Sequence, residues 1–470
     1  MIPVTADLIA RHDRPGPRYT SYPTALEFDE SYGKREHREV LRSAAGRPGP
    51  LSLYVHLPFC QARCSFCACH VVVTRNEGLP QRYRTALQRE AATVATHLGG
   101  RRELVQYHWG GGTPTFFSPE EMIDLHRGLL ESFTVLPNAE LSIEVDPRVT
   151  TAGHLSALRH LGFNRISAGV QDVNPRVQEL IGRRQTHEQT ARLLRSARAM
   201  GFPSINLDLV YGLPGQTTAT MANTLEEVLE LRPERLAAYS FAYVPWMRRH
   251  QRRIDPSALP DPGEKLEMLA QLIETLTSAG YAHVGMDHFA RRDDGLATAA
   301  REGLLTRNFM GYATTPETDV VALGTSGISD LDGVYAQNHR RLASYLEDAA
   351  AGELTTERGL VPTFDDRIRR YVIDRLMCAG RVRWSDVSGR FGVDAPAYFA
   401  AELESMTRPD GLVDEGLASL DGQGMRATDL GRLFMRRLAM TFDAYLPSYS
   451  VDRPRFSRTV IRSARACVGW

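Results

Sequence analysis

From residue 51 to about 290 the chain alternates short apolar or alternating runs with longer amphipathic stretches. Six runs read as strands: LSLYVHL (51–57), VQYHWG (105–110), AELSIEV (139–145), RISAGV (165–170), INLDLVYG (205–212) and RLAAYSFAYV (235–244). Stretches such as PQRYRTALQREAATVATHL (80–98) and HEQTARLLRSARAMG (187–201) repeat apolar residues at helical spacing. Strands alternating with helices imply parallel βαβ units, so the pattern predicts an α/β fold. Six such units fit an open or partial (β/α) barrel, whose chemistry sits at the C-terminal ends of the strands. Residues 1–50 form an extension rich in turn formers, and residues 291–350 read as loop-rich segments belonging to the same body, 51–350. Residues 351–446 turn mostly helical and predict a smaller, winged-helix-like C-terminal domain. The tail 447–470 carries five arginines and no periodicity.

Composition narrows the class. The 470 residues are 43% hydrophobic and 24% charged, which excludes a disordered or fibrous chain. No run approaches the roughly 18–20 apolar residues of a membrane span. The start MIPVTADLIARHDRPG lacks the apolar core of a secretory signal. A soluble, cytoplasmic protein with no membrane partner is expected. Fifty-six basic residues balance fifty-six acidic ones, so no global charge draws the chain to nucleic acid. Lys34 and Lys265 are the only lysines; the other cations are arginines, which bind carboxylates and phosphates bidentately. WMRRHQRR (246–253) is a local exception, read as a solvated loop able to attract an anionic substrate. With no heptad or apolar stripe, a monomer is expected.

The cysteines are placed unevenly: Cys60, Cys64, Cys67 and Cys69 fall within ten residues, while Cys378 and Cys467 stand alone. A structural zinc site would need a second pair, which the chain lacks. Cys60-x3-Cys64-x2-Cys67 follows a strand, and three thiolates in one loop can hold three irons of a cubane and leave the fourth open. Other candidates lie at strand ends. The glycines of HWGGGTPT allow close backbone approach. Glu144 and Asp146, with Arg148 nearby, read either as a surface ion pair or as a ligand contact. Tyr54 and His56 alternate onto one face of their strand, as core or as site residues.

The loop resembles that of the radical S-adenosylmethionine (SAM) superfamily. Cys60, Cys64 and Cys67 take the ligand positions, and Phe66 matches the aromatic before the last ligand. Further segments resemble one family within it, the oxygen-independent coproporphyrinogen III oxidases (dehydrogenases): GPRYTSYPT (16–24), YVHLPFC (54–60), HWGGGTPT (108–115), SIEVDPR (142–148), SAGVQD (167–172), NLDLVYGLPGQT (206–217), GMDHFAR (285–291), RNFMGY (307–312) and YAQN (335–338). The match spans nearly the whole chain and weakens after about residue 350.

That resemblance implies a partial (β/α)6 radical SAM barrel and a [4Fe–4S] cluster whose open iron chelates SAM. One electron from the cluster cleaves the sulfonium to a 5′-deoxyadenosyl radical. It assigns Tyr54, Gly111, Glu144 and Ile328 to the cluster-bound SAM, and Phe66, Gly112, Thr113, Gln171, Arg183, Asp208 and Ala242 to a second SAM. His56 is implied near the cluster, and Tyr54 and His56 are the candidates for catalytic residues. A fourth ligand would close the open iron, so Cys69 reads as a nearby non-ligand. The implied substrate is coproporphyrinogen III, two of whose propionates become vinyls in anaerobic haem biosynthesis, with an electron donor such as flavodoxin or ferredoxin. The N-terminal extension would help cover the barrel mouth. Two rival readings are a two-SAM radical methyltransferase or cyclopropanase of natural products, and a haem chaperone. The N-terminal segment, GMDHFAR and RNFMGY argue against the first, and Cys69 with the extension against the second. Ala68, His70 and Val244-Pro245-Trp246 depart from the family pattern near the site.

Overall fold

A computed structural model describes residues 5–315, 318–449 and 456–457. Two helices, α1 (Ala6–His12) and α2 (Lys34–Ala45), precede the sheet. Its central strands are β1 (Leu51–Leu57), β2 (Glu103–Gly111), β3 (Thr134–Val145), β4 (Arg165–Gln171), β5 (Ser204–Tyr211) and β6 (Arg235–Ser240). They lie side by side in chain order, all parallel. Crossovers run through α3 (Gly78–Leu98), α4 (Pro119–Leu130), α5 (Ala152–His160), the pair α6 (Pro175–Leu180) and α7 (His187–Ala199), and α8 (Thr218–Glu230). Local chemistry sets these starts. Ser118 accepts from Glu121 N while the Glu121 carboxylate accepts from Ser118 N, and Thr186 with Gln189 repeats the arrangement on α7. The apolar faces of the helices and strands close one large core around Leu53, Trp109, Ile143, Ile166 and Leu207.

Two expectations need correction. The sixth run stops at Ser240 rather than 244, because Ala242 turns its carbonyl to the buried side chain of Gln251 instead of the sheet. Residues 291–350 are not mainly loops. After β7 (Tyr281–Val284) and β8 (His288–Arg291) come a hairpin, β9 (Thr306–Asn308) with β10 (Gly311–Ala313), and then β11 (Val320–Leu323), β12 (Ile328–Leu331) and β13 (Val334–Asn338), followed by β14 (Thr356–Leu360). Strand β11 pairs parallel with β1, and β12 to β14 continue antiparallel. Strands β8 and β7 extend the opposite edge, giving a twelve-stranded sheet. Such three- to five-residue strands are too short to show alternation, and β11 is buried at every position.

Beyond β14, helices including Phe364–Ala379 and Trp384–Phe391 surround a three-stranded antiparallel sheet (Arg381–Arg383, Gly424–Ala427, Ala418–Asp421). Their core includes Leu8, Ile9, Tyr19 and Tyr22 from the start of the chain. Tyr19 Oη donates to Asp443 at 2.9 Å, Tyr22 Oη accepts from Ala444 N at 3.0 Å, and Arg436 Nε donates to Pro17 O at 2.9 Å. The GPRYTSYPT segment is thus strapped to the C-terminal helices, and Arg18 is held at the barrel mouth. The tail arginines Arg453, Arg455, Arg458, Arg462 and Arg465, and Cys467, lie outside the described residues. No described helix is long and apolar enough to cross a membrane.

Candidate active site

The cysteine loop leaves the C-terminal end of β1 and is tied down on several sides. Cys60 N donates to Val72 O at 3.1 Å, Val72 N to Pro58 O at 2.7 Å, and Ser65 N to Ile181 O at the end of α6 at 2.9 Å. His250 Nε2 donates to Cys67 O at 2.7 Å, and Gln251 Nε2 to Phe66 O at 3.1 Å. Cys64 is buried, Cys60 and Cys67 are half-buried, and Cys69 is exposed. Burial pushes the Cys60 thiol up to about 11, although Thr113 Oγ1 lies 3.3 Å from its sulfur. The Cys69 thiol donates to Cys67, which holds Cys67 below and Cys69 above the ordinary thiol value.

All four loop cysteines line a cavity of about 540 Å³, within the roughly 300–1,000 Å³ of small-molecule sites. Among the described residues no three cysteine, histidine or carboxylate groups converge as one metal ion requires. A cubane takes each thiolate on a different iron, which three thiols sharing this cavity can provide.

Two glycines bring the end of β2 against this loop. Gly112 N donates to Leu57 O at 2.8 Å and Thr113 N to Phe59 O at 2.9 Å. A Cβ on Gly112 would meet the Pro58 carbonyl carbon at 2.6 Å. Gly111 holds φ +113°, and its N–H donates to Glu144 Oε2 at 2.8 Å. The Glu144 side chain keeps 44% of its surface accessible, facing the cavity it lines. His108 Nε2 stands 3.7 Å from its other oxygen. Burial raises the Glu144 carboxyl, but the hydrogen bond and charge of His108 outweigh it, so the group lies below its ordinary value.

The remaining wall is charged. Buried Asp146 receives Arg148 Nη2 at 2.6 Å and Arg183 Nη1 at 3.1 Å, and Arg183 Nη2 also donates to Gly169 O at 2.8 Å. Arg183 Nη1 is 4.0 Å from the Cys64 sulfur. Asp208 accepts from Ser167 Oγ at 3.0 Å and Asn206 Nδ2 at 2.8 Å. Burial, then the charge of Glu144, raises the Asp208 carboxyl to about 6. Gln171, at φ +70° where β4 ends, joins Phe66, Ala242, Tyr239 and Arg18 around the rim.

Residues 54–228 match the Radical SAM superfamily and residues 363–434 the HemN C-terminal domain. The oxygen-independent coproporphyrinogen III oxidase of Pseudomonas aeruginosa is 44% identical over 97% of this chain and 98% of its own. That of Escherichia coli is 43% identical over 96% and 98%. A solved structure of the Escherichia coli coproporphyrinogen III oxidase (HemN), titled a radical SAM enzyme, superposes with a TM-score of 0.87 at 43% identity, covering 91% of this chain and 97% of that one. The chain belongs to the oxygen-independent coproporphyrinogen III oxidase family.

As a radical SAM protein of this family, the chain takes a [4Fe–4S] cluster and SAM, and its residues fit both. Cys60, Cys64 and Cys67 are the thiols that would hold the cluster, and the cavity beside them offers a carboxylate, arginines and closely approached backbone to an amino-acid ligand. Cys60, Cys64, Cys67, Phe66, Gly111, Gly112, Thr113, Glu144, Gln171, Arg183, Asp208 and Ala242 all line it.

Tyr54, His56 and Ile328 do not line this cavity. Tyr54 Oη donates to His56 Nδ1 at 3.0 Å, and His56 Nε2 donates to His70 O at 2.9 Å. Burial lowers the His56 imidazole to about 4, so it is neutral and pins the exit of the cysteine loop from behind. Ile328 sits on β12 opposite Gln337.

Of the two readings left open for Asp146 and Arg148, the surface pair falls: Asp146 is buried and holds both half-buried Arg148 and Arg183 at the cavity wall. Two residues that bear on this site, Arg18 at its mouth and Glu90 behind the sheet, escaped the sequence reading. Arg18 is carried in by the N-terminal strap. Glu90 on α3 is fully enclosed, and accepts from Gly324 N, Tyr345, Asn338 and Thr355 at 2.6–2.8 Å, fixing the turn after β11. A carboxylate on the face of Tyr83, Leu87 and Val94 was the signal available for it.

Proposed function

We propose that the chain performs the oxidative decarboxylation of coproporphyrinogen III: two propionates become vinyls and the product is protoporphyrinogen IX. The supporting observation is one cavity shared by the three cluster thiols, the Glu144–Gly111 pair and a cationic rim. When bound, the cluster and SAM supply a one-electron cleavage that creates a hydrogen-abstracting radical. Each vinyl formed then releases CO2, one hydrogen atom and one electron.

The protein's own part is binding, orientation and exclusion of water. Glu144 offers an acceptor to an ammonium group or ribose hydroxyls of one SAM, with Gly111 allowing close approach. Asp208, Arg183 and Gln171 offer acceptors and a carboxylate partner to a second SAM, beside Phe66, Gly112, Thr113 and Ala242. Tyr54 and His56 act by positioning the loop. Arg18, 5.5 Å above the Tyr239 ring and 3.3 Å from Asp287, presents a cation to a propionate at the mouth. The reaction belongs to porphyrin biosynthesis in the cytoplasm, and the chain acts as a monomer: only six large hydrophobics are exposed among the described residues.

Anaerobic turnover of the reconstituted protein with SAM, reductant and coproporphyrinogen III, read by mass, tests this. Two successive losses of CO2 matched by 5′-deoxyadenosine, both abolished in Cys64→Ala, are expected. Deoxyadenosine without altered porphyrin would overturn the substrate and favour a methyltransferase. Stoichiometric haem binding without SAM cleavage would overturn the enzyme.

A further inference from the structure

Reductive cleavage of SAM consumes an electron from outside the protein, and the segment after β6 lies between the cysteine loop and solvent. A 3-10 turn, Arg249–Arg253, folds back onto the cysteine loop. Its His250 bonds the Cys67 carbonyl, and buried Gln251 bonds the Phe66 and Ala242 carbonyls while accepting from Val244 N at 2.6 Å. One face of this turn is therefore bolted to the loop that holds the cluster ligands.

The other face meets solvent. Arg249, Arg252 and Arg253 are exposed, Arg248 is half-buried beside them, and exposed Arg63 lies on the cysteine loop itself. Among the described residues none of these five arginines pairs with a carboxylate. The nearby exposed Asp255 caps the next turn, accepting from Ser257 N at 2.8 Å and Ser257 Oγ at 2.7 Å. The same strip holds two of the six exposed large hydrophobics among the described residues, Trp246 (39%) and Met247 (48%). In a chain of zero net charge, an unpaired arginine cluster carrying exposed Trp and Met has the composition of an interface core rather than an ordinary surface.

We propose that the strip 246–253, with Arg63, is the docking face for an acidic one-electron carrier protein. The reduced carrier loses one electron and the group held by Cys60, Cys64 and Cys67 gains it; no bond forms or breaks. The path from the docked face to Cys67 runs through His250 and a single 2.7 Å hydrogen bond. Complementary charge raises the encounter rate and makes it fall with salt. The inference rests on the radical reading of the site, not on its substrate.

The test uses cluster-loaded full-length protein and reduced flavodoxin, an acidic flavoprotein, as probe. Bleaching of the cluster absorbance is followed anaerobically by stopped flow at rising ionic strength. Arg249→Glu/Arg252→Glu/Arg253→Glu is compared with the charge-keeping Arg→Lys triple. The Glu triple is expected to slow reduction by flavodoxin at least about tenfold and flatten its salt dependence. The Lys triple should retain most of the rate. Reduction by dithionite and iron content should be unchanged in both, which shows the loop intact. Equal flavodoxin rates in wild type and the Glu triple would overturn the proposal. So would a higher KM for coproporphyrinogen III under dithionite with flavodoxin reduction unaffected, which would assign the strip to substrate. Failure of porphyrin turnover alone, with the flavodoxin effect present, would sink the oxidase reading and leave the docking face standing.

Discussion

Gly111 lies directly over His56: a Cβ at position 111 would come within 2.4 Å of the imidazole Cε1. The same glycine holds φ +113° and donates to Glu144. Gly111→Ala therefore adds a clash and a backbone strain of about 1–3 kcal/mol. SAM affinity, measured by equilibrium dialysis on cluster-loaded protein, should drop about tenfold or more. Adding His56→Ala removes the clash but not the strain, so the double variant should recover only part of the loss. Full recovery would show that contact, not backbone conformation, requires glycine here.

Glu144→Gln keeps the shape and removes the charge. A hydrogen bond to a charged group contributes about 1.5–3 kcal/mol, so SAM binding should weaken by roughly 10–100-fold. Iron content should stay at the wild-type level, because the cysteine loop makes its own contacts. Unchanged SAM affinity would remove Glu144 from the site.

Asp208 gives the site a pH dependence. Burial and Glu144 lift its carboxyl to about 6, so in the free protein it is mostly protonated at pH 5 and ionised at pH 8. A ligand that requires the carboxylate then binds fully above the raised value and about tenfold more weakly one unit below it. Asp208→Asn should bind weakly at both pH values and show no such step. A profile for Asp208→Asn that matches wild type would assign the titration elsewhere.

Arg18→Gln should raise the KM for coproporphyrinogen III by about tenfold, the value of one charge-assisted contact. SAM affinity should not move, since the proposed contact is with the propionate. A loss in SAM binding alone would place Arg18 with the cofactor.

Glu90→Leu leaves Tyr345, Asn338, Thr355 and Gly324 N without their buried acceptor. Removing that group should destabilise the fold on the order of 3–5 kcal/mol, read as a lower denaturation midpoint. A shift smaller than about 1 kcal/mol would mean that water replaces the carboxylate.

These residues also show what the sequence discloses and what it withholds. The cysteine loop stood out in the sequence because Cys60, Cys64 and Cys67 fall within eight residues, and the proposed ligand set rests on that spacing. The six parallel strands were legible because each is long enough to show its apolar pattern. Strands β11 to β13 were not, since segments of four or five residues are held by pairing with β1 and with one another rather than by any pattern of their own. Arg18 was hidden for a different reason. Nothing within the first 50 residues places it, and its position depends on Tyr19 and Tyr22 docking on Asp443 and Ala444. A surface pair stayed open as a reading of Asp146 because Arg183, its second partner, is 37 residues away.

The cysteine loop's many tethers, to Pro58, Val72, Ile181, His250 and Gln251, mean that its shape is set when the polypeptide folds and not when iron arrives. Little conformational entropy is then left to lose on loading. Occupancy of the cluster becomes a measure of thiolate affinity for iron and sulfide, uncoupled from folding. Iron lost to oxygen would then be replaced without refolding of the loop.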